Sequence, residues 1–541
     1  MHLAPIPGTN VALMNGLLHE MIAHDWVDHR YIDAHTVGFD ELAARVAEYS
    51  PQRVAEICRV PADAIRRAAE IIGHAERLLS TVLQGFYQSH QATAASVQVN
   101  NVNLIRGMLG RPGAGILQMN GQPTSQNTRE CGANGDLPGF RNWENDAHVA
   151  DLARLWNVDM AKIPHYTEPT HAMQIFRFAE QGTIRMLWVI GTNPAVSLPE
   201  LRRIRSILSQ RRLFVVVQDI FRTETAELAD VVLPAAAWGE KTGTFTNADR
   251  TVHLSDKAVD PPGQARADLD ILLDYARRMD FRDNDGNPLP PWHDPQSAFE
   301  AWKRCSEGRP CDYTGLSYEK LRGGSGIQWP CNAEHPDGTE RLYADGKFWS
   351  KPGYCETYGK DLLTGATIEP TEYRALNPDG RAVLMAAQYT APHERADGDE
   401  ELWLITGRTL YHFHTRTKTA RAPQLTAPHP TSGSSCPPAT PPTAKSARAT
   451  SSKSNRPGAV FRHAPGLPGS PTAWRSCRST TATGTAVPAK RNTAGPPTNS
   501  PSPTGIRCPS SPCSKPPPCA SPSSPAVPGR PQLRPPPHPN P

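Results

Sequence analysis

The stretch that decides the fold is "IRMLWVIGTNPAVSLPELRRIRSILSQRRLFVVVQDI", residues 184–220. Its two apolar runs, around Trp188 and Val216, are too short for helices and are rich in β-branched residues, so both read as strands. Between them "LPELRRIRSILSQ" spaces its apolar residues at helical intervals. A third run, "ADVVLPAAAW" (229–238), reads as another strand. Near-continuous apolar strands alternating with amphipathic helices predict a parallel sheet covered on both faces. In such sheets ligands gather at the carboxyl ends of the strands. Three strand-end loops are expected there: Gly191 to Pro194, Gln218 to Ile220, and Trp238 to Arg250, "WGEKTGTFTNADR".

The flanks repeat the alternation. "VALMNGLLHEMIAHDWV" follows the turn "PIPGTN" and reads as a helix with Thr9 or Asn10 at its cap. "VPADAIRRAAEIIGHA" is a second helix, and "LLSTVLQGF" a buried strand ending at Gly85. "SVQVNNVNLIRGMLG" is a third helix, stopped by "RPGAG". Residues 280–395 are aromatic and turn-rich and predict an irregular lobe. "LWLITGRTLYHFHTRTKT" (402–419) starts as a strand and ends in a loop rich in hydrogen-bond donors.

Composition separates two regions. The whole chain of 541 residues carries a net charge of +4. Residues 426–541 hold 13 Lys and Arg with no Asp or Glu, and 29 of the 55 prolines. Residues 1–425 are therefore acidic, with 44 Lys and Arg against 53 Asp and Glu. No apolar run reaches the roughly 18–20 residues of a membrane span. Six cysteines precede Leu425 (Cys58, Cys131, Cys305, Cys311, Cys331 and Cys355). Their spacings fit neither a zinc site nor an iron–sulfur site, and suit a reducing cytoplasm.

Backbone N–H groups with Thr and Asn side chains at strand ends suit a nucleotide or pterin ligand. Asp219 could accept two hydrogen bonds from a guanine edge, or simply cap a helix. Neither G-x-x-x-x-G-K-[ST] nor G-x-G-x-x-G is present, so a P-loop or a standard dinucleotide site is not expected.

A colinear series of motifs then carries a resemblance: "PGTNVALMNGLLHEMI", "GRPGAG" with "GQPTSQNTRECG", "GTNPAVSLPE", "VVVQDIF", "TAELADVVLPAAAWGEKTGTFTNADR", "GLSYEKLRGGSGIQWPC" and "TGRTLYHFHTRTKT". From about Pro7 to Leu425 the chain resembles the molybdopterin oxidoreductases, which bind molybdenum between two molybdopterin guanine dinucleotides. The resemblance implies a dimethyl sulfoxide reductase-like multidomain α/β fold. Its expected parts are two cofactor-binding domains at 1–120 and 121–395, the start of a dinucleotide-binding β-barrel at 396–425, and a disordered tail at 426–541.

It also implies residue roles. Gly8, Thr9 and Asn10, with Gly85, Phe86 and Tyr87, would sit at one dinucleotide. Gly191, Thr192, Asn193, Gln218, Asp219 and Thr223 would bind the other guanosine end, and Lys241, Gly243, Thr244 and Asn247 would approach its phosphates or pterin. Gly407, Arg408, Thr409, His412, His414 and Thr415 would face a pterin, a reading preferred to a metal pair at His412 and His414. Asn120, Gln122 and Arg129 are the substrate-loop candidates. Formate dehydrogenases carry an Arg before the Gly-Gln of this loop, and here that position is Asn120. The loop therefore leans toward nitrate reductases, with formate oxidation as the alternative. "QDIF" and "FTNADR" pull mildly toward formate.

The family's 4Fe-4S segment and its Cys or selenocysteine molybdenum ligand precede the "PGT" motif, so they are expected upstream of Met1. Cys131 reads as a structural thiol. The acid-free region after Leu425 reads as a disordered arm whose charge could attract nucleic acid, although no nucleic-acid partner is expected. It also reads as translation in a wrong frame. With GC-rich codons started one base earlier, "PTSGSSC" (430–436) yields PDVWVEL, and "ATSSKSNRPG" (449–458) yields GDVVEVESPRG, an alternating strand pattern. We expect the chain as it stands to be inactive and its electron-transfer partner to be unidentifiable from sequence.

Overall fold

The computed structural model describes residues 1–119, 125–133, 137–167, 170–348, 380–393 and 407–427. Asn120, Gln122, Cys355, residues 402–406 and the region from 428 onward lie outside the described residues. The chain divides into two compact units. One comprises residues 1–171 and 234–395, the other 172–233 and 396–541. The expected boundary after residue 120 thus falls within a unit.

The first unit opens with α1 (Asn10–Ala23), which is apolar nearly all round and buries Ala12, Leu18 and Met21 completely. Helices α2 (Pro51–Cys58) and α3 (Ala62–Gly73) pack on it. Helix α3 forms because Ile65, Ala69 and Gly73 share one face at four-residue spacing, while Arg66, Arg67 and Glu70 face outward. Strand β1 (Leu79–Val82), helix α4 (Ala92–Ile105) and strand β2 (Gly115–Gln118) follow, and β2 lies parallel to β1, with Leu79 opposite Gly115.

Here one expectation is corrected. The strand ends at Val82, its only buried residue, and Gln84–Tyr87 winds into a helical turn. A two-stranded sheet leaves one face uncovered, so Leu79 and Leu83 are half exposed despite their apolar character. The 380–393 stretch joins this unit. Ala382–Val383 pairs in parallel with Thr36–Val37, and the buried Asn15 amide donates to the Ala387 carbonyl at 2.8 Å.

Helices α5 (Ser125–Glu130) and α6 (Asp146–Trp156) continue the unit. The second unit carries α7 (Ala172–Gln181), β3 (Met186–Ile190), α8 (Leu201–Leu208), β4 (Phe214–Asp219) and β5 (Val231–Pro234). As the sequence predicts, β3 and β4 are parallel, with Ile190 opposite Gln218, and β4 is central, between β3 and β5. Helix α8 buries Ile204, Ile207 and Leu208 against Val215 and Val217, and turns Arg202, Arg203 and Arg205 outward. Each such buried aliphatic side chain contributes about 2 kcal/mol. Ile204→Asp would break this contact.

The first unit resumes with the antiparallel hairpin β6 (Gly243–Thr246) and β7 (Thr251–Ser255). This corrects the expected strand-end loop at 238–250: alternation across "GTFT" and "TVHLS" pairs two strands around the turn at Asn247. Helices α9 (Asp268–Arg278), α10 (Pro295–Ser306) and α11 (Tyr318–Arg322) follow, then β8 (Ile327–Gln328) beside β7. The described part of the lobe is less irregular than expected. Phe299, Cys311, Tyr313, Trp329 and Cys331 form a dense core of their own.

Candidate functional site

In the second unit the carboxyl ends of β3 and β4 lie side by side, because parallel pairing sets Gly191 beyond Ile190 and Asp219 beyond Gln218. The Gly191 amide donates to the Gln218 carbonyl at 2.9 Å. Gly191 takes φ +63°, and a β-carbon there would meet nothing within 4 Å, so the loop presents an open backbone face. Gln218 is fully buried and accepts from the Trp188 indole at 3.2 Å.

Asn193 is the keystone of this end. It is 5% exposed, and its Oδ1 accepts from the Thr225 hydroxyl at 2.7 Å and the Thr225 amide at 3.3 Å. Its Nδ2 donates to Glu224 at 2.8 Å, and its carbonyl accepts from the Val196 and Ser197 amides. Thr223, also buried, accepts from the Ala226 amide. Thr192 is exposed above them.

Asp219 accepts from the Ile220 amide at 2.7 Å. Burial raises its carboxyl above the usual range, against backbone hydrogen bonds and the nearby Lys418 and Arg421. Those cations come from 407–427, a stretch with four Lys and Arg and no acid. Arg421 lies over the Phe221 ring at 4.9 Å and reaches the Arg222 carbonyl at 3.4 Å. His412 is buried, its Nδ1 paired with the Thr419 hydroxyl at 2.9 Å. The Thr409 amide donates to the His412 carbonyl, and Thr415 pairs with Thr417. His414 lies 3.2 Å from Arg408, and burial followed by Arg408 and Lys418 depresses its pKa. A β-carbon at Gly407 would meet open space. The two histidines are thus engaged separately, and among the described residues no group of three or more His, Cys, Asp or Glu is disposed to hold a metal.

In the first unit the "PGTN" turn and the Gly85 turn are brought together by one bond, from Asn10 Nδ2 to the Gly85 carbonyl at 2.7 Å. Thr9 occupies the N-cap position, but its hydroxyl donates to the Ile6 carbonyl instead of capping α1. Gly8 has φ +84° and lies so close to Pro392 that any β-carbon would clash. Gly85 faces open space, and Phe86 packs on the core. The Tyr87 hydroxyl donates to the Met119 carbonyl at 3.0 Å, anchoring the end of β2 just before the candidate loop at Asn120.

On the hairpin, Gly243 faces open space and Thr244 is half buried. Lys241 is ion-paired with Asp268 in the first turn of α9. Asn247 is exposed and pairs with His253 at 3.0 Å. A cleft of about 500 Å³ beside it is lined by Asn247, His253, Asp249, Asp337 and Glu340 among others. Its three carboxylates make it a poor seat for a phosphate.

A feature that sequence reasoning missed lies next to Arg129. Glu130 is fully buried, and its carboxylate accepts from the Trp329 indole at 2.6 Å, the Tyr313 hydroxyl at 2.7 Å and the Thr246 hydroxyl at 3.3 Å. Burial pushes it up to about 7 despite these donors. Asn127, three residues earlier, also donates to it at 3.4 Å, but its other partners are 116 to 199 residues away in sequence, so only the coincidence of an acid with lone Trp and Tyr residues in polar turns could have hinted at it.

Residues 1–278 match the molybdopterin oxidoreductase family along their whole length. The chain belongs to the molybdopterin oxidoreductase family. This confirms the resemblance and the α/β architecture. It is 32% identical over 440 residues to a nitrate reductase of Synechocystis, covering 80% of this chain and 56% of that protein. It is also 32% identical over 428 residues to the F420-dependent formate dehydrogenase subunit alpha of Methanocaldococcus jannaschii, covering 79% and 56%. The chain thus spans a little over half the length of the curated relatives it matches. Its fold is shared with acetylene hydratase from Pelobacter acetylenicus, at TM-score 0.50 and 19% identity, over 79% of this chain and 57% of that one. The described residues form an α/β core, and no described helix is long and apolar enough to cross a membrane.

Proposed function

We propose that this chain is part of the catalytic subunit of a molybdenum oxidoreductase of nitrate reductase type. Its role is to hold molybdopterin as the guanine dinucleotide, and formate oxidation is the second reading. The observation that carries it is the β3–β4 end of the second unit. An open backbone at Gly191, a partly buried acceptor at Asp219 and an acid-free cationic stretch from Arg408 to Arg421 form a donor set that fits an anionic guanosine dinucleotide. Asp219 would take the guanine N–H edge, the Gly191–Asn193 backbone a phosphate, and Lys418 and Arg408 the remaining charge. Gly85, tied to the Gly8–Asn10 turn by the Asn10 side chain and followed by Phe86 and Tyr87, offers a second open glycine face for the partner dinucleotide.

Molybdenum, when bound, supplies two-electron oxygen-atom acceptance, which turns nitrate into nitrite. The chain's own contribution is to orient the cofactor and to place Arg129 near an anionic substrate. Asn120 in place of a carboxylate-binding Arg favours nitrate, and the formate dehydrogenase relative keeps formate as the alternative.

The test is to purify the full chain from a host that makes the cofactor, then assay molybdenum and the GMP released by acid hydrolysis. Molybdenum with about two GMP per metal supports the reading, and an empty chain overturns it. Nitrate-dependent oxidation of reduced viologen, against formate-dependent viologen reduction, separates the two substrates.

A further inference from the structure

We propose that Glu130 is a positioning residue whose carboxyl group knots helix α5, which carries Arg129, to the hairpin β6–β7. The inference rests on the proposed function only for what the two elements hold; the knot itself is read from this chain alone.

Four segments meet at this side chain. From α5, Asn127 exchanges two hydrogen bonds with Thr246 of β6. Its Oδ1 accepts from the Thr246 amide at 2.7 Å, and its Nδ2 donates to the Thr246 hydroxyl at 2.9 Å. The Thr246 hydroxyl also touches Glu130 and lies 2.8 Å from the Tyr313 hydroxyl. Tyr313 and Trp329, from two segments of the lobe core, close the ring on the carboxylate. The Glu130 carbonyl accepts from the Gly139 amide at 2.7 Å, so the following loop is fastened as well. Glu130, Thr246 and Tyr313 are all fully buried.

Among the described residues the carboxylate's hydrogen-bond partners, Asn127, Thr246, Tyr313 and Trp329, are all neutral donors. Around it the titratable groups are Tyr313, held un-ionised by burial, and Cys131, next in the chain. Arg250 stands behind Trp329, 5.3 Å from its ring centroid. Arg141 and Arg309 bind the carbonyls of the 138–140 loop instead. A buried acid without a cation is satisfied as an acceptor but is electrostatically costly when ionised. Opening the knot exposes Glu130 to water, where its ordinary value is 4.5, against about 7 when closed. The closed form therefore holds its proton more tightly, and linkage requires the knot to loosen as pH rises from about 4.5 to 7. An ordinary structural carboxylate, paired with a cation, would loosen in the opposite direction.

The test is hydrogen exchange of the Thr246 and Gly139 amides in the full chain at pH 5.5 and 8.5, corrected for the intrinsic rate. The wild type should lose about thirtyfold of its protection at the higher pH. Glu130→Gln should lose that pH dependence. Trp329→Phe, which removes one donor to the anion, should move the midpoint upward and serves if Glu130→Gln fails to fold. Equal protection at both pH values in the wild type, or an unmoved midpoint in Trp329→Phe, overturns the proposal. The readout needs no cofactor. A chain that shows the pH-dependent knot but binds no molybdenum therefore refutes the proposed function and not the knot.

Discussion

Replacing Asn193 by Ala tests whether the β3–β4 end is pre-built for its ligand. The change removes both bonds to Thr225 and the bond to Glu224. Glu224 is exposed, so its contact is screened by water and counts for little. Thr225 is fully buried, and stranding its amide costs about 2 kcal/mol, with about 1 kcal/mol more for its hydroxyl. The loop should therefore open about 3 kcal/mol more easily, which is about a hundredfold faster exchange. The amides to follow are Thr225, Ala195, Val196 and Ser197. The last three are held by the Thr225 hydroxyl or by the Asn193 carbonyl. Thr225→Val supplies a double-mutant cycle, because its hydroxyl both donates to Asn193 and accepts from Ala195. A coupling of about 1 kcal/mol is expected between the two changes. Strict additivity, or protection unchanged in Asn193→Ala, would refute the keystone argument.

Two further outcomes are expected. Arg141 is 2% exposed and binds Asp151 together with the Pro138 and Cys305 carbonyls, so Arg141→Met should cost about 3 kcal/mol at pH 7 by equilibrium denaturation. Burial alone would raise the Asp151 carboxyl, but the hydrogen bonds from Arg141 and Arg154 outweigh it and hold it low. The pair's stabilisation is then present above about pH 4 and lost as pH falls further, and the gap between wild type and variant should shrink in acid. Cys58 is fully buried with its thiol pushed up to about 11, so iodoacetamide at pH 8 should leave it unmodified in the native chain, as read by mass spectrometry.

What the sequence made legible follows the range of the interactions. The β3–α8–β4 unit could be read directly because every contact that defines it is made within about forty residues. The β4 run is buried at Val215, Val216 and Val217, where hydrophobic pattern and structure coincide, whereas Met186 and Ile190 of β3 and Val231 and Val232 of β5 stay exposed, so the expected cover on both faces is incomplete. The hairpin β6–β7 was within reach too: Thr244 and Thr246 alternate against Val252 and Leu254 across a polar turn, a period-two signal that the expectation of another strand-end loop masked. Strand β1 failed in the opposite way, since apolar residues implied burial that a two-stranded sheet does not supply. The charged parts of the site divide likewise. The acid-free run from Arg408 to Arg421 announces itself in composition, whereas nothing local shows that Lys241 is committed to Asp268. Glu130 lies furthest from legibility. In sequence it is one more acid beside an Arg, and its chemistry exists only because Thr246, Tyr313 and Trp329 converge on it. Residues that gain their properties from distant neutral partners leave no charge pattern and no spacing. Buried acids of this kind are therefore found by their surroundings, and a proton-dependent function is to be sought there.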